Sequence, residues 1–142
     1  MTAKISIVSL AVLLFVSGCA TAPSGRTPQG RIAACNANVC HVAIAVSDCQ
    51  VTATPPILEV TQQNIEIHWD IDKASAGYTF DVRGIVVERD DKGEFSGGKV
   101  AENGQKYILH DKNSFSSIYK YDIRVLNNGV ACPVVDPWIY NN

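Results

Sequence analysis

The sequence has no hydrophobic run long enough to cross a membrane as a helix. Its longest apolar run, residues 5–16, has about a dozen residues, whereas a membrane-spanning helix needs roughly 20. Charge is also sparse: 12 Lys and Arg residues stand against 14 Asp and Glu residues, and no segment concentrates the basic ones. Nucleic acid is therefore not an expected partner. No segment has the 3.6-residue apolar period of a helix either.

Motifs for the common kinds of site chemistry are missing as well. The only methionine is Met1, and neither Met nor His follows Cys132, so the ligand set of a blue-copper site is absent. No Gly-x-Ser-x-Gly motif is present for a nucleophilic serine. The acidic residues 90–94 lack the spacing of an EF-hand calcium loop, which favours a solvated turn. These absences predict a protein that is not an enzyme and needs no cofactor.

The N-terminus begins with a positive residue, Lys4, continues with the apolar run and ends in Val-Ser-Gly-Cys at residues 16–19. This order is that of a secretory signal. Its end resembles the lipobox of bacterial lipoproteins, in which the signal is cut before the cysteine and the cysteine is acylated. The resemblance implies that residues 1–18 are removed and that Cys19 becomes a lipidated N-terminus, since two or more acyl chains hold a protein stably in a membrane. The alternative is that Cys19 only belongs to an ordinary leader.

The segment after Cys19 is typical of a flexible tether. It is rich in Pro, Gly, Ser and Thr, and it has no hydrophobic period, so residues 19–34 are predicted to form a lipidated, disordered anchor with a reach of about 20 Å. In the lipoprotein family, an Asp after the lipidated cysteine tends to retain the protein at the inner membrane, and here that residue is Ala20. The resemblance therefore implies a place in the bacterial cell envelope, on the outer membrane and facing the periplasm.

The chain has five cysteines, an odd number that leaves one unpaired in an exported protein. When Cys19 is assigned to lipidation, four remain, and four cysteines in an oxidising compartment predict two disulfides. Three pairings are open, and we favour Cys49–Cys132 together with Cys35–Cys40. The first closes a loop of about 84 residues and contributes up to about 4–5 kcal/mol to stability. The second fixes a short loop before the first predicted strand.

Apolar and polar residues alternate along several short segments of the mature chain. The clearest is residues 65–71, where Trp69 is predicted to lie at the centre of the core. Gly84 separates two strand-like segments and is a candidate bulge. The Asn-Asn-Gly sequence at 127–129 favours a β-hairpin. Short strands, turn signals and no helices predict an all-β fold, a single antiparallel β-sandwich over residues 35–142.

Four short motifs carry a resemblance to known sandwiches. They are Ile-His-Trp at 67–69, Tyr-Thr-Phe at 78–80, Tyr-Lys-Tyr at 119–121 and Asp-Pro-Trp-Ile at 136–139. In this order they resemble small cupredoxin-like or immunoglobulin-like sandwiches and uncharacterised secreted bacterial domains. The motifs consist mainly of core and turn residues, so the resemblance implies the fold and no activity.

Two loop regions are candidates for contact with a partner, since loops at the ends of a sandwich often bind. Residues 90–104 are predicted to form a long mobile connection containing only a short strand, and residues 111–117 a turn. Tyr107 and Phe115 are candidate partner-binding anchors, because aromatic side chains lead at interface hot spots. Trp138 is a weaker candidate, since it falls between core strand residues.

Three histidines are the remaining candidate metal ligands. His41 and His68 fall on the polar faces of their predicted strands, and His110 lies elsewhere in the chain. Three separate surface histidines are the favoured interpretation, and a metal site requires that the fold bring them together. No metal site is therefore predicted.

Three functions remain open, in order of preference. The first is a lipid-anchored envelope protein whose sandwich has a structural role or binds another envelope protein. The second is a periplasmic inhibitor or immunity protein directed against a cell-wall hydrolase, a role that small disulfide-bonded lipoproteins often have. The third is a metal-binding or enzymatic domain.

Overall fold

A computed structural model describes residues 30–142 of the chain. The predicted signal peptide and the lipidation site at Cys19 lie outside the described residues. Of the predicted tether, the last residues belong to a strand that begins at Ile32. The folded domain therefore starts about three residues before the predicted boundary at Cys35, because the backbone of this segment pairs with a strand that the sequence supplies much later.

The described part of the chain consists of eleven strands and one 3-10 turn, Glu102–Gly104. No helix among these residues is long and apolar enough to cross a bilayer. The strands, in chain order, are β1 (Ile32–Cys35), β2 (Val39–Ser47), β3 (Gln50–Thr54), β4 (Ile57–Val60), β5 (Ile65–Ile71), β6 (Tyr78–Val87), β7 (Phe95–Ala101), β8 (Lys106–Asp111), β9 (Ser117–Asn127), β10 (Val130–Ala131) and β11 (Trp138–Asn141).

The strands form two sheets, which confirms the predicted all-β sandwich. Sheet I has the order β1-β4-β11-β9-β10, with β6 also paired to β9, and sheet II has the order β3-β2-β5-β8-β7. The sheets are mixed, however, and not wholly antiparallel: β1 with β4, β11 with β4, and β2 with β5 pair in parallel. Pro55 and Pro56 lie where the chain crosses from β3 in sheet II to β4 in sheet I, next to β1.

Trp69 lies at the centre of the core, as predicted. It is fully buried in β5, where buried and half-buried residues alternate without exception. Its indole N–H donates to the hydroxyl of Tyr121, which lies on β9 of the opposite sheet, at 3.1 Å, and the two rings meet edge to face at 5.4 Å. Burial raises the pKa of the Tyr121 hydroxyl, so this hydroxyl stays protonated.

Both disulfides have the predicted pairing, Cys35–Cys40 and Cys49–Cys132. Each one joins the two sheets. Cys35 lies on β1 of sheet I and Cys40 on β2 of sheet II, while Cys49 lies in the turn between β2 and β3 and Cys132 directly follows β10. The bonds therefore stabilise the packing of one sheet on the other. The hydrogen bonds of the strand ladders join strands only within a sheet.

Gly84 lies at the predicted bulge. The pairing of β6 with β9 shifts register between Phe80 and Ile85, and a Cβ atom at Gly84 would lie 2.9 Å from side-chain atoms of both Phe80 and Tyr107. The residue is glycine because neighbouring side chains occupy the space. The prediction of a long mobile connection over residues 90–104 is wrong, since these residues include all of β7 and the 3-10 turn.

Candidate partner-binding surface

The two predicted aromatic anchors have opposite environments. Tyr107 is 4 % exposed and its ring lies 5.9 Å from that of Phe80, so its role as a partner-binding residue is wrong. Residues of β8 alternate between the two faces, and Tyr107 shares the inward face with Leu109. Phe115, in the loop between β8 and β9, is 53 % exposed. Of the two predicted anchors, only Phe115 is available to a partner.

The loop that carries Phe115 is held by a buried carboxylate. Glu94 is 1 % exposed. It accepts hydrogen bonds from the backbone N–H of Ser114 at 2.6 Å, the Ser114 hydroxyl at 2.7 Å and the backbone N–H of Phe115 at 3.3 Å. Burial opposes ionisation of Glu94, but these hydrogen bonds outweigh it, so the pKa of Glu94 lies below its ordinary value. The ionised carboxylate therefore fixes the backbone at the exposed phenylalanine.

A second carboxylate holds Glu94 itself. The Asp90 side chain accepts from the backbone N–H of Glu94 at 2.7 Å and from that of Phe95 at 3.0 Å, and the Lys112 ammonium donates to the carbonyl of Gly93 at 2.7 Å. These bonds tie the turn before β7 to the loop after β8. The prediction that residues 90–94 form a solvated acidic turn is therefore wrong for Glu94, which is buried, while residues 91–93 are exposed and Asp90 is half-buried.

A buried polar cluster lies at the same end of the sandwich, formed by Asp111, Asn113 and Asn141, each at most 3 % exposed. One oxygen of Asp111 accepts from the backbone N–H of Asn113 at 2.9 Å and from the side-chain amide of Asn141 at 3.0 Å. The Asn113 amide donates to three backbone carbonyls, those of Val60, Gln62 and Asn142. The Asn113 side chain thereby ties the loop to the ends of β4 and β11.

The same cluster contains three buried side-chain oxygens without a hydrogen-bond partner: Oδ2 of Asp111 and Oδ1 of both Asn113 and Asn141. Burial raises the pKa of Asp111 to about 6, with a further contribution from the charge of Glu94. All three unpaired oxygens are hydrogen-bond acceptors, so a proton on Oδ2 of Asp111 would supply the donor that they lack. Asp111 is thus a buried carboxyl group whose ionisation is opposed by its surroundings.

Ser117, two residues beyond Phe115 in the chain, lines an exposed cleft of about 440 Å³. The Lys92 ammonium lies 5.6 Å from the centre of the Phe115 ring. The cleft is lined by Arg89, by the exposed side chain of Ile118 and by the half-buried Trp138, among others. A fixed loop that presents an exposed aromatic side chain is suited to binding a protein, because little conformational entropy is lost when the partner binds.

Trp138 is neither a core residue nor a fully exposed one. It is half-buried on β11, where it pairs with the half-exposed Lys120 of β9 and is adjacent to the core residue Ile139. It therefore lies on the outer face of sheet I, away from the core between the sheets. One side of its ring region lines the cleft. Its weak prediction as an anchor stays a prediction.

The three histidines share the outer face of sheet II. His41 on β2 lies directly opposite His68 on β5, and His110 on β8 lies opposite Glu66 on β5, one diagonal step from His68. Among the residues from 30 onwards, no group of three or more His, Cys, Asp or Glu side chains is arranged to hold a metal ion. The fold brings two of the three histidines into contact and leaves the third beside them.

The residues that position Phe115 could not be recognised from the sequence. Glu94 lies in a run of charged residues that is typical of a solvent-exposed segment. Its hydrogen-bond donors, at residues 114 and 115, are about 20 positions away in the sequence. The spacing Asp-x-Asn at residues 111–113 is one available signal, because an Asp side chain commonly accepts from the backbone N–H two residues on, as Asp111 does from Asn113.

Comparison with known proteins finds no matching family model and no matching curated protein. The function of this chain is therefore inferred from its own residues and their geometry.

Proposed function

We propose that this chain is a lipid-anchored protein of the bacterial cell envelope, with a non-catalytic sandwich that has a structural or protein-binding role. The observation that carries the proposal is the cysteine pairing. The disulfides Cys35–Cys40 and Cys49–Cys132 use every cysteine of the described residues. The fifth, Cys19, stands at the lipobox position, where acylation gives a cysteine a role that needs no partner thiol.

The direction of β1 supports a function directed away from the membrane. Ile32 is level with Trp138 and Lys120 in sheet I, and Cys35 is level with Ser117, two residues from Phe115. β1 therefore runs toward the end that carries Phe115, and the chain enters the domain from the opposite direction. An anchor at Cys19 in the outer membrane would leave the Phe115 loop facing the periplasm, where an envelope protein can reach it.

Substitution of Cys19 by serine tests the anchor. The wild-type protein is expected to carry acyl chains at Cys19, seen as added mass in the intact protein and in its N-terminal peptide, and to partition into detergent-rich phases. Cys19→Ser is expected to lose the added mass and the tight membrane association, because serine lacks the thiol that is acylated. Cys35→Ser is the matched control and should keep the acyl chains. An unmodified Cys19 in the wild-type protein contradicts the proposal.

An inhibitor directed against a cell-wall hydrolase is the second candidate. The observation that favours it is the Phe115 loop, which Glu94 fixes in place while the ring stays exposed. A rigid, exposed loop is a common means of blocking the cleft of an enzyme, since it binds with little loss of entropy. A purely structural role does not require an exposed aromatic side chain on a fixed loop.

A photo-crosslinking residue at position 115, introduced into the full chain in cells, tests the partner-binding role. We expect adducts with a specific envelope protein, while the same residue at the highly exposed Val82 of β6 serves as the matched control. If the partner is a hydrolase whose activity falls when the purified protein is added, and Phe115→Ala weakens this effect by about tenfold or more, the inhibitor is favoured. Identical adducts from positions 115 and 82, or none from 115, contradict binding through Phe115.

A further inference from the structure

Two histidines lie side by side on the outer face of sheet II, far along the chain from each other. His41 and His68 are direct partners in the parallel ladder between β2 and β5. Their ring centroids are 5.3 Å apart, and the ring planes are inclined by 79°. The His41 side chain is 62 % exposed and that of His68 15 % exposed, so the pair can be reached from solvent.

Each ring is held by its own carboxylate. Nδ1 of His41 lies 3.0 Å from Oδ2 of Asp70, and Nε2 of His68 lies 2.9 Å from Oε2 of Glu66. An ionised carboxylate only accepts hydrogen bonds, so the ring nitrogen that faces it carries the proton. In a neutral imidazole the other nitrogen then carries the lone pair. The carboxylates therefore leave Nε2 of His41 and Nδ1 of His68 as the unprotonated nitrogens.

The carboxylate partner of each ring is a feature that metal-binding histidines share. A histidine that ligates a metal almost always donates its second ring N–H to a carboxylate, a carbonyl or water, which fixes the tautomer and the orientation of the ring. Here both members of one pair have such a carboxylate. Neither of the two remaining ring nitrogens has a hydrogen-bond partner among residues 30–142.

The spacing of the rings also suits a shared ion. Two imidazoles that bind one tetrahedral ion at nitrogen–metal distances of about 2.0–2.1 Å place their ring centroids about 5 Å apart. The observed 5.3 Å is close to this value. Asp70 and Glu66 also add negative charge beside the rings, and the Lys106 ammonium lies 3.4 Å from Asp70.

We propose that His41 and His68 form a binding site for one exchangeable divalent transition-metal ion, with Asp70 and Glu66 orienting the two rings. The ion has two protein ligands, in agreement with the finding that no three ligating side chains of residues 30–142 converge, and water fills its remaining positions. Imidazole ligands suit Cu²⁺, Ni²⁺ and Zn²⁺, with Cu²⁺ the most tightly bound, and do not suit Mg²⁺ or Ca²⁺. This site is independent of the anchor and of Phe115.

Titration of the full chain, purified in detergent, with Cu²⁺, Zn²⁺ and Ca²⁺ tests the site by calorimetry and by nuclear magnetic resonance. We expect one Cu²⁺ per chain, weaker Zn²⁺ binding, no Ca²⁺ binding, and Cu²⁺-induced broadening centred on His41 and His68. His41→Ala and His68→Ala should each weaken Cu²⁺ binding about tenfold or more. Asp70→Asn should weaken it by about 10–100-fold, as the loss of an orienting carboxylate does in other sites.

His110→Ala is the matched control, since His110 lies on the same face of sheet II but is not paired with His41 or His68 across the ladder. Its Cu²⁺ affinity should equal that of the wild-type protein. Circular dichroism of each variant shows whether the fold is retained, and the conservative His41→Gln change provides a second test of the ligand. Cu²⁺ binding that survives both His41 substitutions, or that His110→Ala weakens equally, overturns the assignment.

Discussion

Replacing Cys49 and Cys132 together by serine is expected to lower the free energy of unfolding by about 4–5 kcal/mol. The bond spans 83 positions of sequence, and on the chain-entropy model a loop of that length restricts the unfolded chain strongly. The loss approaches the whole stability of an ordinary domain, which is about 5–15 kcal/mol. Urea unfolding of the full chain, followed by the fluorescence of the buried Trp69, measures the effect.

The second disulfide supplies the matched control. Cys35 and Cys40 are only 5 positions apart, so the same model gives their bond about 2 kcal/mol. Replacing this pair by serine should therefore cost less than half as much, although both bonds join the same two sheets. If the two double variants unfold at the same urea concentration, the stabilisation does not come from restriction of the unfolded chain.

Asp111→Asn is expected to stabilise the protein at pH 7, by about 3 kcal/mol, which corresponds to a rise in Tm of roughly 10 °C for a domain of this size. The folded pKa of Asp111, about 6, lies above its ordinary value of 3.8. Between these values the folded state keeps a proton that the unfolded state has lost, so the stability of the wild-type protein falls as the pH rises from about 4 to about 6. Asparagine has no charge to bury.

The geometry of the cluster explains why asparagine fits. Oδ1 of the new side chain can still accept from the backbone N–H of Asn113 and from the amide of Asn141, as Asp111 does. Its amide replaces Oδ2, which has no donor, and can donate to one of the two unpaired asparagine oxygens. Thermal unfolding of both proteins at pH values from 4 to 8 should show a difference near pH 7 that disappears near pH 4.

Asp111→Ala provides the control for this interpretation. Alanine also removes the buried charge, but it leaves the Asn113 N–H and the Asn141 amide without an acceptor, and buried donors without partners are costly. Asp111→Ala should therefore be less stable than Asp111→Asn at every pH. A wild-type protein whose stability is constant from pH 4 to pH 7 would show that a bound water or ion compensates the Asp111 charge.

Features that depend on neighbouring residues were predictable from the sequence. The alternation along β5 correctly placed Trp69 in the core. The Asn-Asn-Gly sequence forms the hairpin between β9 and β10, with positive φ angles of 48° at Asn128 and 84° at Gly129. The number of disulfides followed from the cysteine count once Cys19 was set aside, whereas the pairing was a preference among three possibilities. In each case one physical rule applies to a few adjacent residues, or to whether the number of cysteines is odd or even.

Features that depend on distant residues were not predictable. Glu94 is buried because its hydrogen-bond donors come from residues 114 and 115, and nothing in the charged segment around it indicates this. Tyr107 lies in a strand of six residues, too short for the sequence to show which of its faces meets the core. The pairing of the two histidines required the parallel ladder between β2 and β5, which an expectation of antiparallel strands excluded.

The position of β11 has a consequence for the order in which the protein folds. This last strand lies between β4 and β9 in sheet I, and its Asn141 side chain bonds to Asp111. Sheet I therefore stays divided until residues 138–141 are available, whether the chain leaves a ribosome or a translocation channel. Folding coupled to synthesis usually proceeds from the N-terminus, and contacts between distant residues slow it. Sheet I can close only after β11 has emerged, and losing residues 138–141 would separate β4 from β9.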